Sequence, residues 1–226
     1  MKRAFLFLIL CLALSAWAQN QTVNGLKQGL WKVAYEGSTV IRYEGQFDRG
    51  IPVGTFTHYH PNGTKRAVMV FRGKTQACYA QEFSQNGVLL AEGLYGAPGV
   101  KDSTWRIYSS QGQLLAIENY KGGKVEGEQT LYHDNGNILE QGNLVNGFRD
   151  GEWILYFDDG LKKRKCVFKE GKLEGEWIQF DENGNLEQKG MYRNDFRDGR
   201  WIEFENGQLV KITWYKDGEV FKEEKH

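Results

Sequence analysis

The sequence predicts an all-β fold: an elongated, twisted antiparallel sheet of tandem β-hairpins. Three observations predict it. Twenty-eight glycines stand against three prolines, and aromatic residues reach 14%, a composition of short strands and tight turns. Glycines 127, 151, 175 and 199 open near-identical segments exactly one repeat length of 24 residues apart. Each segment alternates apolar and polar residues up to an Asn-Gly or Asp-Gly turn, which is the pattern of a strand entering a hairpin.

The first 18 residues stand apart. Lys2 and Arg3 precede an apolar run from Ala4 to Leu14, and Ala16-Trp17-Ala18 supplies the small residues a signal peptidase reads. A secretory signal peptide is expected over 1–18, with cleavage before Gln19. The run is too short to cross a bilayer, and Leu10 before Cys11 is unlike a lipoprotein site. Export to the periplasm, cell surface or medium follows as an expectation, with no transmembrane segment left after cleavage. Residues 19–28 read as a lead-in, 29–220 as about eight repeats, and 221–226 as a tail.

Lysine plus arginine equals aspartate plus glutamate at 29 each. A balanced chain has no basic footprint with which to neutralise phosphates, so nucleic acid is excluded as a partner.

The clearest copies read Gly127-Glu-Gln-Thr-Leu-Tyr132-His-Asp-Asn-Gly136, Gly151-Glu-Trp153 to Gly160, Gly175-Glu-Trp177 to Gly184 and Gly199-Arg-Trp201 to Gly207. Looser copies run Gly54 to Gly63, Gln81 to Gly87 and Trp105 to Gly112, and a partial one opens at Gly29-Leu-Trp31. Asp134-Asn135-Gly136 suits a three-residue loop ending in a left-handed glycine with a bulge. That loop sets His133 opposite Asn137 and Tyr132 opposite Ile138. The same rule sets Phe83, Tyr108 and Phe180 opposite Leu89, Leu114 and Leu186, while Lys65 and Lys162 fill the equivalent place in two copies. The last copy lacks one residue before Gly207, yet Phe204 still meets Leu209. Alternation then puts Ile154, Tyr156, Phe168, Ile178, Phe180, Leu186 and Tyr192 on one face and the tryptophans on the other.

Cys78 and Cys166 are 88 residues apart. At ~4.8 Å per strand that is of order 35 Å, against the ~7 Å a disulfide tolerates, so no bridge is expected.

The pattern Gly-x-Trp-x-x-Tyr/Phe-x-x-Asn-Gly-x-Leu, closed by Gly-x-Tyr/Phe-x-x-Gly, resembles the MORN repeat in its bacterial variant, the YwqK-type antitoxin-like repeat family. The resemblance spans roughly residues 25–220 and is closest in the last four copies. It implies a scaffold or interaction role, in some members beside membranes and lipid head groups, and it carries no catalytic residues.

No catalytic, cofactor or metal site is expected from the motifs. His58-x-His60 puts two imidazoles on one strand face, but nearby sequence offers no third ligand, so a solvated pair is favoured. Asp181-Glu-Asn183-Gly-Asn185 has its glycine too early for an EF-hand and reads as a turn. The basic run Lys162–Lys165 reads as an exposed edge. What remains is surface. Trp105, Trp153, Trp177 and Trp201 share one phase and form the candidate partner-binding ladder, although covering glycines on the second face is the favoured reading of them. The expected function is an exported, non-enzymatic repeat scaffold or protein-binding module. The alternatives are an envelope glycan- or lipid-binding protein and an immunity or antitoxin-like partner of a toxin.

Overall fold

The structure, a computed structural model, describes residues 19–73 and 75–226. The expected leader lies outside the described residues. Within them the chain is one antiparallel sheet of 18 strands in which every strand pairs with its neighbours in sequence. A short strand, Gln21–Val23, leads in. Eight hairpins follow: Leu26–Ala34 with Ile41–Asp48, Ile51–Tyr59 with Lys65–Phe71, Cys78–Phe83 with Leu89–Ala97, and Val100–Tyr108 with Leu114–Lys121. The last four are Lys124–Tyr132 with Ile138–Val145, Phe148–Tyr156 with Lys162–Lys169, Lys172–Phe180 with Leu186–Arg193, and Phe196–Glu205 with Gln208–Lys216. Glu219–Lys225 closes the sheet as an exposed edge.

The turn chemistry fixes the register as the sequence predicts. Tyr132 pairs with Ile138, Phe83 with Leu89, Tyr108 with Leu114, Phe180 with Leu186 and Phe204 with Leu209. The lysine copies hold too, with Tyr59 opposite Lys65 and Tyr156 opposite Lys162. His133 N–H donates to the Asn137 carbonyl at 2.8 Å, and Gly136, at φ 88°, lies in the left-handed region the loop requires.

The face assignment needs a correction. Phe168 and Tyr192 lie on the tryptophan face, not opposite it. Tyr156 pairs with Lys162 but Leu155 pairs with Arg164, so Lys163 is an extra, bulged residue. Glu187 is the equivalent in the next hairpin, between Phe180–Leu186 and Gln179–Gln188. A one-residue slip moves every later side chain of the strand to the other face. Phe168 therefore follows Cys166, which sits opposite Trp153.

A second bulge lies where hairpins join. Asn143 pairs with Asp150 and Gln141 with Ile154, so the strand carrying Trp153 holds two extra residues. Gly151, at φ 75°, is in that bulge. This is why a glycine stands two places before the tryptophan: it bends the strand and lays the indole back over the preceding hairpin.

One row crosses the whole sheet on this face, through Gly142, Trp153, Cys166, Trp177, Gly190, Trp201 and Thr213 at its C-terminal end. The two cysteines are buried and unbridged. They are seven strands apart in the order of the sheet, or about 34 Å at ~4.8 Å per step.

Candidate binding surface

The four tryptophans of the candidate ladder are interior. Trp105 and Trp201 are 0% exposed, Trp153 1% and Trp177 8%. Three of the indoles, those of Trp105, Trp153 and Trp201, lie closely over a glycine of the row. A methyl added at Gly142 would sit 2.2 Å from Trp153, at Gly190 2.2 Å from Trp201, and at Gly93 2.5 Å from Trp105. The ring N–H then reaches the next carbonyl along the glycine strand: Asn143 at 3.1 Å, Met191 at 3.0 Å and Leu94 at 2.9 Å. Buried indole N–H groups need such a partner. Three of the four rings thus cover glycines of the row, at Gly93, Gly142 and Gly190.

That cover was not read from the sequence. A cation four residues before the tryptophan lies over the outer side of the ring. Arg149 is 4.1 Å from the Trp153 ring centre, Arg197 4.2 Å from Trp201, Lys101 4.2 Å from Trp105 and Lys27 4.6 Å from Trp31. The signal was present as Lys27, Lys101, Arg149 and Arg197, each at the same offset. Trp177 has Leu173 there and Cys166, not glycine, beneath it, and it tilts toward Trp201 at 5.3 Å. Arg149 also grips buried Glu140 through both guanidinium nitrogens, at 3.0 and 2.6 Å.

Between successive row rings stand the residues closing each second strand. They meet the row rings edge-on: Trp31–Phe47, Phe47–Phe56 and Phe56–Phe71 at 6.0, 5.0 and 5.5 Å, then Tyr95–Trp105 at 4.9 Å. Further on, Trp153–Phe168, Tyr192–Trp201 and Trp201–Tyr215 continue the pattern at 6.3, 5.1 and 6.2 Å. Six of the eight hairpins place a ring in the row; Ala80 and Gln129 occupy it in the third and fifth. At the fifth the row turns polar, with Gln129 donating to Glu118 at 2.8 Å and Tyr120 to the same carboxylate at 2.5 Å. Burial and this carboxylate push the Tyr120 hydroxyl well above its usual range.

The opposite face carries a mixed row, in which Ile154, Lys165, Ile178, Lys189, Ile202 and Ile212 face one another across successive strands. Lys165 pairs with Glu152 at 2.6 Å, so the Lys162–Lys165 run is divided by the sheet and forms no single basic patch.

Both long rims are stitched. On the Asn-Gly side, Asn135 donates to the Asp158 carbonyl of the next turn at 2.6 Å, and His133 Nε2 lies 3.2 Å from the Tyr156 carbonyl. His60 makes the same contact with the Phe83 carbonyl at 2.9 Å, so it is a half-buried turn-to-turn link rather than a solvated side chain. The His58 ring lies tilted against Tyr43, with ring centres 5.9 Å apart. Burial, then Arg66 and Arg42, hold its imidazole below the ordinary histidine range. On the other rim, the carboxylates of Glu126 and Glu174 accept the N–H of Asn146 and Asn194 at 2.6 and 2.7 Å. Asp181 is occupied by its own turn, accepting from Asn183 and Asn185 at 3.0 and 2.8 Å. Hydrogen bonding from Asn185 keeps that carboxyl below its usual range.

Among the described residues no group of three or more His, Cys, Asp or Glu side chains could hold a metal ion. Burial pushes the Cys78 and Cys166 thiols up, away from the nucleophilic thiolate.

Comparison with known families decides what the repeat is. The family model of the MORN repeat variant matches residues 125–146 and 173–194. Two hairpins of the chain carry the MORN repeat variant. The two matched segments fall on the fifth and seventh hairpins, and the unmatched sixth MORN-like unit between them repeats their pairing and turn geometry. The match is to the variant repeat and does not distinguish the antitoxin-like branch. No curated protein matches the chain. MORN repeats are generally protein- or membrane-binding modules.

Proposed function

We propose that this chain is an exported, non-enzymatic repeat scaffold that holds another protein against its sheet. One observation carries the reading. The 18 strands stay in sequential order as an open sheet, so its width is about 80 Å at ~4.8 Å per strand. The rings that stabilise it lie within the row, and both rims are tied hairpin to hairpin. The result is a long platform with two solvent-facing sides and few groups to do chemistry, which is what solenoid-like arrays offer to partners.

The test has two parts. Intact-mass analysis of the chain recovered from the envelope or medium should give a species beginning at Gln19; a full-length cytosolic species rejects export. Crosslinking in cells followed by purification should return one partner at fixed stoichiometry. Recovery of the bare chain, with retention on peptidoglycan or anionic liposomes, would replace the protein-binding reading by glycan or lipid binding. A partner that proves to be a toxin would narrow the scaffold to an immunity role.

A further inference from the structure

The edge-to-face series of rings has a gap that stays apolar. A row ring is bracketed by the aromatic nine residues before it and one some fifteen residues after it: Phe47 and Phe71 bracket Phe56, and Tyr192 and Tyr215 bracket Trp201. Phe71 and Tyr95 stand in those places around Ala80. Each gives one side to the neighbouring ring, Phe71 to Phe56 at 5.5 Å and Tyr95 to Trp105 at 4.9 Å. Their other sides line a hollow of about 220 Å³, shared with Met69, Cys78, Pro52 and Pro98.

The gap is built into the third hairpin. Cys78 replaces the bulge glycine, and Phe71–Cys78 through Ala67–Glu82 pair without any register shift. Lacking the bulge, the hairpin neither bends nor lays a ring back over Met69. Met69 leans into part of the space, as an unbranched thioether can. The fifth hairpin also lacks its ring, but there Gln129 and Glu118 close the place with a hydrogen bond. Only the third leaves apolar walls.

A second hollow of about 430 Å³ shares Met69, Tyr95 and Gly99 with the first and continues to His58, Arg66 and Glu82. Glu82 is engaged, accepting from Tyr95 at 2.6 Å. Arg66 is the bulged residue of its hairpin, and among the described residues no ion pair involves it. The site is thus aromatic at one end, and at the other it carries the exposed Arg66 guanidinium beside the Glu82 carboxylate that Tyr95 already holds.

We infer that this double hollow receives an aromatic side chain of the partner protein, with an acidic residue next to it in the partner's sequence reaching Arg66. The inference rests on the protein-binding reading above and names its site. The ring takes the place that a tryptophan takes in other hairpins, between Phe71 and Tyr95, where edge-to-face contact favours it beyond simple burial. Arg66 supplies the charge for the partner's carboxylate, while Glu82 beside it is already engaged by the Tyr95 hydroxyl.

Methionine-methyl NMR on the chain from Gln19 onward tests it, because that chain has two methionines, Met69 in the hollow and Met191 exposed near the far end. The probes are the blocked dipeptides acetyl-Trp-Glu-amide and acetyl-Trp-Lys-amide. The expected result is a saturable shift of the Met69 signal with Met191 still, at several-fold lower concentration for the glutamate peptide. In Arg66→Glu, an exposed substitution, the order of the two peptides should reverse. A still Met69 signal, a linear drift of both signals, or an unchanged order in Arg66→Glu overturns the inference. Recovery of a crosslinked partner alongside such a result would leave the scaffold reading standing and move its contact elsewhere on the sheet.

Discussion

Gly142→Ala is the sharpest test of how this sheet is held together. On strand propensity alone the change should help, since alanine in a strand interior is better than glycine by about 0.5–1 kcal/mol. The structure reverses the sign. The new methyl would stand 2.2 Å from Cδ2 and 2.4 Å from Cε2 of Trp153. To reach ordinary carbon–carbon contact at ~3.5 Å, the ring must retreat by more than about 1 Å. It is not free to do so, being tied to the Asn143 carbonyl at 3.1 Å and covered by Arg149 at 4.1 Å. Losing the tie costs about 1 kcal/mol, and overpacking about 1–3 kcal/mol. Less the propensity gain, the substitution should destabilise by about 2 kcal/mol. Urea unfolding followed by far-UV circular dichroism reads the total, and amide exchange locates it in the fifth and sixth hairpins. The decisive arm is the Trp153→Ala background, where Gly142→Ala should become neutral or stabilising. Equal destabilisation in both backgrounds would refute the claim that the indole forbids a side chain there.

Other outcomes follow from single groups. Thr213 Oγ1 is buried and has no hydrogen-bond partner among the described residues, so Thr213→Val should stabilise by about 1 kcal/mol, read as a higher urea midpoint at unchanged slope; a drop would mean the hydroxyl has a partner. Arg149→Ala strips the ring cover and leaves Glu140 buried without its guanidinium, and should cost about 2–4 kcal/mol. Adding Glu140→Gln should return much of that, and failure of this rescue would assign the loss to packing alone. His58 is held below the ordinary histidine pKa of about 6.5 by burial, Arg66 and Arg42. The unfolded chain therefore takes up the proton first, and the contribution, complete above about pH 6.5, is lost as pH falls below it. Thermal melts of His58→Gln should show a flatter fall between neutral and acid pH than the native chain, and an identical profile would rule out His58 as a source.

The hairpin register was legible because it is written in local chemistry. An Asn-Gly or Asp-Gly turn admits few backbone conformations, and the position six residues from Tyr132 to Ile138 follows from it. Faces were less legible. The bulged residue is Lys163 in one hairpin, Glu187 in another and Leu139 in a third. These types share no signature, since a bulge is a property of the backbone pairing rather than of its side chain. Counting alternation through it misplaced Phe168 and Tyr192. The tryptophan phase was evident, but not its burial. Alternation alone leaves the ring exposed until the glycine beneath and the arginine above are read together, and those stand 11 and four residues before Trp153 on different strands. The hollow beside Ala80 was invisible for a related reason. A missing ring is a fact about Phe71 and Tyr95, the neighbours left without it, which only the folded sheet brings to the same spot.

The Glu118–Gln129 contact has a mechanical consequence. On one side of it lies a packed cluster around Trp105, Ala80 and Ala91, and on the other one around Trp153, Trp177 and Trp201. In an array where each unit contacts only its neighbours, cohesion is a sum of local couplings, and the polar contact is the softest coupling between the two. The sheet is then two cooperative blocks joined by a hinge line rather than one uniform ribbon. Under load or denaturant it should part between the fourth and fifth hairpins, so a partner that bridges this line would act as a splint.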